Sequence, residues 1–433
     1  MNYYSTRNKT EKRRFAQAAL GGLAPDGGLY VPETIPALPA SVVASLAAMT
    51  FAETAFETVR PFVRGDVPDA VLGDIVQSAY PFDAPLVPVG RFSVLELFHG
   101  PTAAFKDFGA RFMARVFSYL RRGEDRPLTI LVATSGDTGG AVADGFFGVE
   151  GVSVTVLYPK GRVTPLQEKQ IAGLHGNISA VAVEGSFDDC QRLVKEAFRH
   201  DGLRKTFDLT SANSINIARL IPQAVYYVAG AGKGARGAIS ITCAVPSGNF
   251  GNLTAGLYAR EMGAPIAGFI AATNVNKTVP DYLETGVYET RPSQATISNA
   301  MDVGAPSNFE RLAAHWSLDE LRALMRGVWV TDAETRETIQ RVHAETGYTL
   351  DPHGAVGWKA AEKSVTEKAA TEPPPPIAIL ETAHPAKFAE TVEPIVGKVP
   401  LPPSLEKALT RDVESITIPP DIETLVDYLK RRH

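Results

Sequence analysis

The chain has 433 residues, of which 45% are hydrophobic and 21% charged, as in globular proteins long enough for two or three domains. Its formal net charge of −5 is too small to favour a nucleic-acid or anionic-membrane partner. The two cysteines, Cys190 and Cys243, lack metal-ligand spacing, so we expect no metal site and a reducing cytoplasm. We find no signal-peptide core and no apolar run of membrane-spanning length.

Residues 1–90 predict a helical N-terminal region that contains a glycine-rich series of turns at 20–32. From about residue 91 the pattern alternates between strands and helices. Apolar runs predict strands at 128–134, 152–158, 178–183, 239–245, 266–272 and 377–381. Apolar residues at helical spacing predict helices at 104–120, 139–147, 188–198, 215–229 and 252–262. Strands joined by helical crossovers favour a parallel sheet with helices on both faces.

The last third of the chain predicts a helical insertion around 300–370 and a terminal helix at 422–430. The proline-rich run 372–376 is typical of an extended surface connection or of a domain linker. We therefore divide the chain into an N-terminal region, 1–90, a large α/β domain, 91–125 with 230–433, and a small α/β domain, 126–229.

Lys106 lies in the sequence His-Gly-Pro-Thr-Ala-Ala-Phe-Lys-Asp-Phe-Gly, residues 99–109. We expect it in the first turn of a helix for which Thr102 is a candidate N-cap. The positive helix end and burial both lower a lysine pKa and favour the free amine, which attacks an aldehyde cofactor. The alternative is a surface lysine whose aliphatic stem packs on the flanking phenylalanines.

Three polar loops follow predicted strands, at 134–140, 246–252 and 382–387. Ligands of open parallel sheets bind beyond the carboxyl ends of strands, where glycines and free amides accept an anion. The spacing of these loops is neither that of a Walker loop nor that of a dinucleotide fingerprint. One such loop is weak support for a site, but three of them together with Lys106 favour one shared site.

These segments resemble the threonine synthase family, and most closely its longer bacterial and fungal branch. The resemblance covers nearly the whole chain and rests on 4–7, 22–32, 99–109, 134–139, 213–219, 246–252 and 382–387. It implies an α/β fold of the tryptophan-synthase-β type, which is fold type II of the enzymes that use pyridoxal 5'-phosphate (PLP). It also implies PLP as the cofactor.

The resemblance assigns roles position by position. Lys106 corresponds to the lysine that binds PLP covalently, and Thr382 to the hydroxyl residue at the pyridine nitrogen. The cofactor phosphate is assigned to Gly248, Asn249, Phe250, Gly251 and Asn252. Substrate phosphate and carboxylate are assigned to Ser135, Thr138, Asn216 and Arg219.

Some residues keep alternatives at this level. Arg219 shares a predicted helix with apolar residues, so a solvated helix face is its alternative. Asp137 stands where one family branch has asparagine beside the cofactor 3′-oxygen, and we assign it no contact because a carboxylate repels a phenolate. Lys387 is interpreted as an ordinary surface cation.

The expected reaction converts O-phospho-L-homoserine and water to L-threonine and phosphate. The alternatives are a serine or threonine dehydratase on the same fold and a catalytically inactive relative that binds PLP or a phosphorylated ligand. The long N-terminal region argues against the dehydratase, and Lys106 with three intact loops argues against the inactive relative. We expect a monomer or a small homo-oligomer.

Overall fold

The computed structural model describes residues 1–124, 126–234, 240–368 and 375–432. Its strands are β1 (Asn2–Ser5), β2 (Asn8–Arg14), β3 (Tyr30–Pro32), β4 (Leu86–Val89), β5 (Phe92–Glu96), β6 (Leu128–Ala133), β7 (Val152–Pro159), β8 (Ile178–Val183), β9 (Asp208–Ser211), β10 (Ile241–Pro246), β11 (Ile266–Thr273), β12 (Met325–Trp329), β13 (Ile377–Glu381) and β14 (Ile416–Ile418).

The α-helices are α1 (Phe15–Gly21), α2 (Ala40–Ser45), α3 (Phe51–Val63), α4 (Asp69–Ala79), α5 (Lys106–Leu120), α6 (Asp137–Phe146), α7 (Pro165–Ala172), α8 (Phe187–Arg199), α9 (Asp201–Thr206), α10 (Ile217–Leu220), α11 (Ala224–Gly234), α12 (Gly251–Glu261), α13 (Thr278–Thr285), α14 (Phe309–His315), α15 (Leu318–Leu324), α16 (Asp332–Thr346), α17 (Pro352–Lys368), α18 (Ala389–Val396), α19 (Pro403–Leu409) and α20 (Ile422–Arg432). Short 3-10 segments lie at Ile221–Gln223, Asn299–Met301 and Pro385–Phe388. None of the described helices is both long and apolar enough to cross a membrane.

Two α/β sheets form the body of the molecule. The six-stranded sheet has the order β12-β11-β10-β13-β5-β4, in which all neighbours are parallel except β4 and β5. The five-stranded sheet has the all-parallel order β14-β8-β7-β6-β9. We use the names large and small domain for these two sheets with the helices packed on them. The predicted α/β fold is therefore confirmed, with β4 as an antiparallel strand at the edge of the larger sheet. The N-terminal region predicted to be helical also contains a three-stranded antiparallel sheet of order β2-β1-β3.

The large sheet is buried on both faces, as a parallel sheet covered by helices requires. Along β10, Cys243 and Val245 pack into one apolar cluster, whereas Ala244 between them packs into the other. This alternation explains why the strand reads as a continuous apolar run in the sequence.

The prediction of one continuous helix at 215–229 is wrong, because the structure has two α-helices in this segment. Helix α10 ends at Leu220, a 3-10 segment follows, and α11 begins at Ala224. Pro222 lies in the interruption, and proline has no N–H with which to continue an α-helical hydrogen-bond pattern. Of the predicted strand 239–245, Ile239 lies outside the described residues, as do residues 372–374 of the proline-rich run.

The predicted assignment of the C-terminus to the large domain is wrong for its last elements. Strand β14 pairs with β8, and α20 packs on the small domain through Leu425, Val426 and Leu429. A three-residue strand gives no readable alternation, so the sequence pattern carries no sign of its partner. The region 300–370, which is predicted to be helical, also contains a strand, because β12 lies at the edge of the large sheet.

Arg311 ties the N-terminal region to the large domain. Its guanidinium is fully buried and donates to the main-chain oxygens of Tyr30 (3.0 Å), Ser214 (3.1 Å) and Ile215 (2.5 Å). It also donates to the Asn308 side chain at 2.6 Å. One side chain thus satisfies carbonyls from β3 and from the loop before α10.

We predict that Arg311→Met lowers the free energy of unfolding by at least about 3 kcal/mol, because each buried carbonyl left without a donor costs about 1–3 kcal/mol. Thermal denaturation followed by circular dichroism measures the change. The matched control is Arg322→Met, because exposed Arg322 also donates to two carbonyls, those of Leu283 and Glu284. Water can replace these bonds, so equal losses in the two variants would contradict the role of Arg311.

Candidate active site

A cavity of about 560 Å³ is lined by residues of both the large and the small domain. Its wall combines the start of α5 with the loops that follow β6, β10 and β13, as expected for the carboxyl ends of parallel strands. Of the predicted site residues, it contains Lys106, Ser135, Thr138, Arg219, Gly248, Asn249, Phe250, Gly251, Asn252 and Thr382.

The start of α5 is fixed by a carboxylate that folds back on the preceding loop. The main-chain N and the Oγ1 of Thr102 donate to Asp107 at 2.8 and 2.6 Å. The prediction that Thr102 caps the helix is therefore wrong, since α5 begins at Lys106 without a side-chain cap. Burial raises the pKa of Asp107 to about 6, against the opposing effect of these hydrogen bonds. Gly100 leaves room for this carboxylate, because a Cβ there would lie 2.3 Å from its Oδ2.

Main-chain hydrogen bonds place Lys106 beside Thr382. Ala104 and Ala383 form an antiparallel bridge, in which Phe105 N donates to Thr382 O at 2.8 Å and His384 N donates to Ala103 O at 3.0 Å. These bonds hold the start of the helix that carries Lys106 against the loop that carries Thr382.

The Lys106 amine has no hydrogen-bond or ion-pair partner among the described residues, and its nitrogen lies 4.9 Å from the centre of the Phe105 ring. Burial lowers the pKa of Lys106, and the charges of Lys387 and Arg219 lower it further, against the opposing carboxylates of Asp137 and Asp351. The free amine is thereby favoured at the cavity wall.

Backbone strain marks the same site. Among the described residues, the non-glycine residues with positive φ are Ala103 (53°) and Phe250 (59°), and such conformations concentrate at functional sites. Phe250 stands directly before α12, so its turn directs the first amides of that helix. Gly248 has a packing role, because a Cβ there would lie 2.7 Å from Ala300 O.

Asn252 presents a donor without an acceptor. Its Oδ1 accepts from the hydroxyls of Tyr226 and Tyr227, each at 2.7 Å, which fixes the amide orientation. Its Nδ2 is buried and has no partner among the described residues. A buried unpaired donor near a helix start is a natural site for an anionic oxygen. Asn249 is instead used within the protein, where its Nδ2 donates to Ser214 Oγ at 2.8 Å.

The loop after β6 presents hydroxyl groups. Thr134 Oγ1 accepts from Gly136 N (2.9 Å) and Gly139 N (2.8 Å), which closes the turn. Ser135 and Thr138 line the cavity and are only partly buried, and neither side chain has a hydrogen-bond partner among the described residues. Both hydroxyls are therefore available to a ligand.

The solvated-face interpretation of Arg219 is wrong, because this residue is only 3% exposed. Its Nη1 donates to Ala212 O at 2.6 Å, while its Nε is buried without a partner. Burial lowers the pKa of Arg219 to about 10, although Asp107 and Tyr226 act in the opposite direction. Among the described residues no carboxylate lies within ion-pair distance of this guanidinium.

Asn216 is the predicted substrate-binding residue that the structure does not bring to the cavity. It caps α10 by accepting from Ala218 N at 2.9 Å. Its Nδ2 donates to Ala19 O (2.8 Å) and Ser211 O (3.0 Å), so the side chain is fully used in packing α10 against α1.

Lys387 is not a surface cation, and that prediction is wrong. Its side chain is fully buried and contacts Asp137 Oδ1 at 2.8 Å. Burial alone would raise the pKa of Asp137, but the charges of Lys387 and Lys106 outweigh it and hold the pKa well below its usual range. Sequence analysis missed this pair because the two residues belong to different domains.

Sequence analysis also missed a buried acidic group behind Thr382. Asp351 accepts from His353 Nδ1 at 2.5 Å, and its main-chain N donates to Glu381 at 2.5 Å. Burial, followed by the charge of Asp351, raises the pKa of Glu381 well above its usual range. His353 lines the cavity and accepts from Ala300 N at 3.3 Å. The only sequence signal was a histidine at a helix start, which is common in proteins without catalytic function.

Comparisons with known proteins show the family of the chain. Family models match residues 2–80 (threonine synthase N terminus), 80–380 (pyridoxal-phosphate dependent enzyme) and 354–429 (threonine synthase, C-terminal). Threonine synthase from Haemophilus influenzae is 44% identical over 424 residues, which cover 94% of each chain. The chain belongs to the threonine synthase family.

Solved structures of the threonine synthase family support the same assignment. The crystal structure of threonine synthase from Escherichia coli superimposes with a TM-score of 0.91 at 40% identity over 100% of both chains. A PLP-bound threonine synthase from Brucella melitensis gives a TM-score of 0.91 at 37% identity, and the match covers 100% of this chain and 99% of that one. The fold is that of fold type II PLP enzymes, and the protein is a PLP-dependent enzyme.

The residues of this threonine synthase family member fit PLP. The cofactor carries an aldehyde, a phosphate and a pyridine nitrogen, and each group has a suitable partner in the cavity wall. Lys106 would supply an amine for the aldehyde. The unpaired Nδ2 of Asn252 and the amides at the start of α12 suit the phosphate, and Thr382 offers a neutral hydroxyl for the ring nitrogen.

We predict that borohydride fixes PLP to Lys106 in the holoenzyme, because this free amine forms a reducible Schiff base with an aldehyde. Peptide mass spectrometry locates the modified lysine. Lys106→Ala should lose the adduct, while Lys233→Met, which removes a surface lysine paired with Asp83, should keep it. An adduct of unchanged yield in Lys106→Ala would assign the cofactor to another lysine.

The substitution Asn252→Asp removes the unpaired Nδ2 donor and keeps a side chain of nearly the same size and shape. The Tyr226 and Tyr227 hydroxyls keep their acceptor, whereas an anionic oxygen replaces the Nδ2 donor. We expect PLP affinity to fall ten- to a hundred-fold or more, because a charge-assisted hydrogen bond contributes roughly 1.5–3 kcal/mol and repulsion adds to its loss. Equilibrium titration of the apoprotein with PLP measures the affinity. An unchanged dissociation constant would remove Asn252 from the phosphate site.

Proposed function

We propose that the chain converts O-phospho-L-homoserine and water to L-threonine and phosphate. The observation that carries this proposal is Arg219, a buried guanidinium whose Nε is unpaired and which has no carboxylate partner in the described structure. An unpaired buried cation is unfavourable, and a ligand anion can compensate for it. A phosphorylated amino acid brings two anionic groups in addition to those of the cofactor.

The substrate groups divide naturally over the cavity wall. Arg219 offers a planar fork of donors suited to a phosphate or carboxylate. Ser135 and Thr138 add uncommitted hydroxyls from the loop after β6. We assign substrate binding to these three residues and not to Asn216, whose side chain is already fully hydrogen-bonded within the protein.

Lys106 is the proposed acid–base group. Bound PLP supplies an electron sink that stabilises negative charge at the substrate Cα. With substrate in the cavity, the Lys106 amine would take the Cα proton and return protons later. Its depressed pKa suits this exchange, since the amine accepts a proton and the ammonium releases it without a large free-energy step.

Thr382 is the proposed partner of the cofactor ring. Its neutral hydroxyl, unlike a carboxylate, would not enforce protonation of the pyridine nitrogen, which would moderate the electron sink.

We also infer a cytoplasmic location, which the free, buried thiols of Cys190 and Cys243 support. A small-molecule substrate suits the enclosed cavity, and the expectation of a monomer or small homo-oligomer stays a prediction.

Incubation of the holoenzyme with O-phospho-L-homoserine tests the proposal, with threonine and phosphate assayed in the same sample. Equal molar amounts of both products are expected. Serine and threonine serve as comparison substrates, with 2-oxo acid as the product to detect. Efficient 2-oxo acid formation without turnover of O-phospho-L-homoserine would replace the proposal with the dehydratase.

Arg219→Ala separates substrate binding from cofactor binding. We expect it to keep PLP but to lose roughly ten- to a hundred-fold in kcat/KM for O-phospho-L-homoserine, the effect of one charge-assisted bond. Arg219→Lys should recover only part, because an ammonium lacks the planar fork. Steady-state kinetics of both variants at matched PLP occupancy measure this, and wild-type kcat/KM in Arg219→Ala would exclude the substrate role.

A further inference from the structure

The Asp137–Lys387 pair joins the two domains at the base of the cleft. Asp137 is the first residue of α6 in the small domain, and Lys387 lies in the 3-10 segment after β13 in the large domain. Their side chains are 4% and 0% exposed. An ion pair this deeply buried is costly to form, so its position beside the cofactor lysine calls for a reason.

Both members of the pair have further partners. The Lys387 ammonium also donates to Thr102 O at 2.8 Å, in the loop that leads to Lys106. Gln167 donates to Asp137 Oδ1 at 3.0 Å, the same oxygen that meets Lys387. Asp137 Oδ2 has no hydrogen-bond partner among the described residues, and Asp137 lines the cavity with Lys106. One carboxylate oxygen is therefore held by Lys387, and the other is uncommitted.

Four charged groups act on the Lys106 amine: Asp137 from α6, Lys387 from the segment after β13, Arg219 from α10 and Asp351 from the loop before α17. The cations that act on Asp137 are Lys387 and Lys106. Without Lys387, the buried carboxylate would have Lys106 as its remaining cationic partner. Lys106 would then be held as an ammonium, which has no lone pair with which to attack an aldehyde.

We propose that Lys387 is a positioning residue that occupies Asp137 as its ion-pair partner and thereby leaves Lys106 as a free amine. This inference rests on the assignment of Lys106 as the cofactor lysine. It explains why a second lysine is buried at the site and why a carboxylate is tolerated next to the cofactor. It also predicts that loss of Lys387 and loss of Asp137 shift, in opposite directions, the pH at which Lys106 becomes a free amine. A pair with a purely structural role would not have these opposite effects.

Pyridoxal is the probe, because it carries the aldehyde without the phosphate and so reports on the amine independently of Asn252 and the loop after β10. The full chain is stripped of PLP with hydroxylamine and mixed with pyridoxal over a series of pH values. Borohydride traps the adduct, and peptide mass spectrometry gives the fraction of Lys106 modified. The readout is the pH at which half-maximal modification occurs.

Lys387→Met should raise this midpoint by one pH unit or more, which is about a tenfold slower reaction below the midpoint. Asp137→Asn should lower the midpoint, because Lys387 then acts on Lys106 without compensation. The double variant Asp137→Asn, Lys387→Met contains no buried unpaired charge from the pair and should return towards the wild-type midpoint. Lys233→Met, which breaks the ion pair with Asp83 away from the cavity, should behave as wild type.

Each outcome decides the inference. A wild-type midpoint in Lys387→Met would overturn it, as would a raised midpoint that persists in the double variant, since the effect would then be structural. If Lys387→Met does not fold, Asp137→Asn and the double variant carry the test, and a midpoint in Asp137→Asn at or above the wild-type value would overturn the inference. Modification of a lysine other than Lys106 in the wild type would instead refute the cofactor assignment, which keeps the two failures distinct.

Discussion

The main-chain bridge between Ala104 and Ala383 is the contact on which the rest of the site depends. It joins the segment that leads into α5 to the loop that follows β13, and so it holds the start of the Lys106 helix next to Thr382. Ala103 adopts positive φ to make this pairing, a strain of order 1–3 kcal/mol that the surrounding structure must offset. Side-chain substitutions therefore change the chemistry of the cavity more readily than its frame.

Helix α5 offsets part of this strain through its opposite face. Phe108 packs against Phe51, Tyr80, Phe82 and Tyr226, with ring centroids 5.1 to 5.9 Å apart. Aromatic pairs of this kind contribute about 0.5–1.5 kcal/mol each in addition to the area they bury. The phenylalanines around the lysine thus serve two purposes, since Phe105 covers the amine and Phe108 anchors the helix that carries it.

The elements that can be predicted from the sequence are those with a clear local pattern. Continuous apolar runs predict the central strands, and the polar loops that follow these strands predict most of the residues that line the cavity. The unpredictable part depended on contacts between distant segments. The sequence around a lysine that follows a strand does not show whether the side chain is exposed to solvent or buried in an ion pair. Lys387 is the buried case, because it pairs with Asp137 of the other domain. Asn216 shows the converse, because its motif position matches the family while its side chain is used in capping a helix.

Unpaired donors link ligand binding to stability in this protein. Arg219 Nε and Asn252 Nδ2 are both buried without acceptors, so the ligand-free protein carries an uncompensated desolvation penalty at two points of one cavity. Anions that enter the cavity remove this penalty and stabilise the folded chain by mass action. The two unpaired donors belong to different helices, Asn252 to α12 and Arg219 to α10. An anion that pairs with one donor need not pair with the other, which favours a cofactor and a substrate that each bring their own anion.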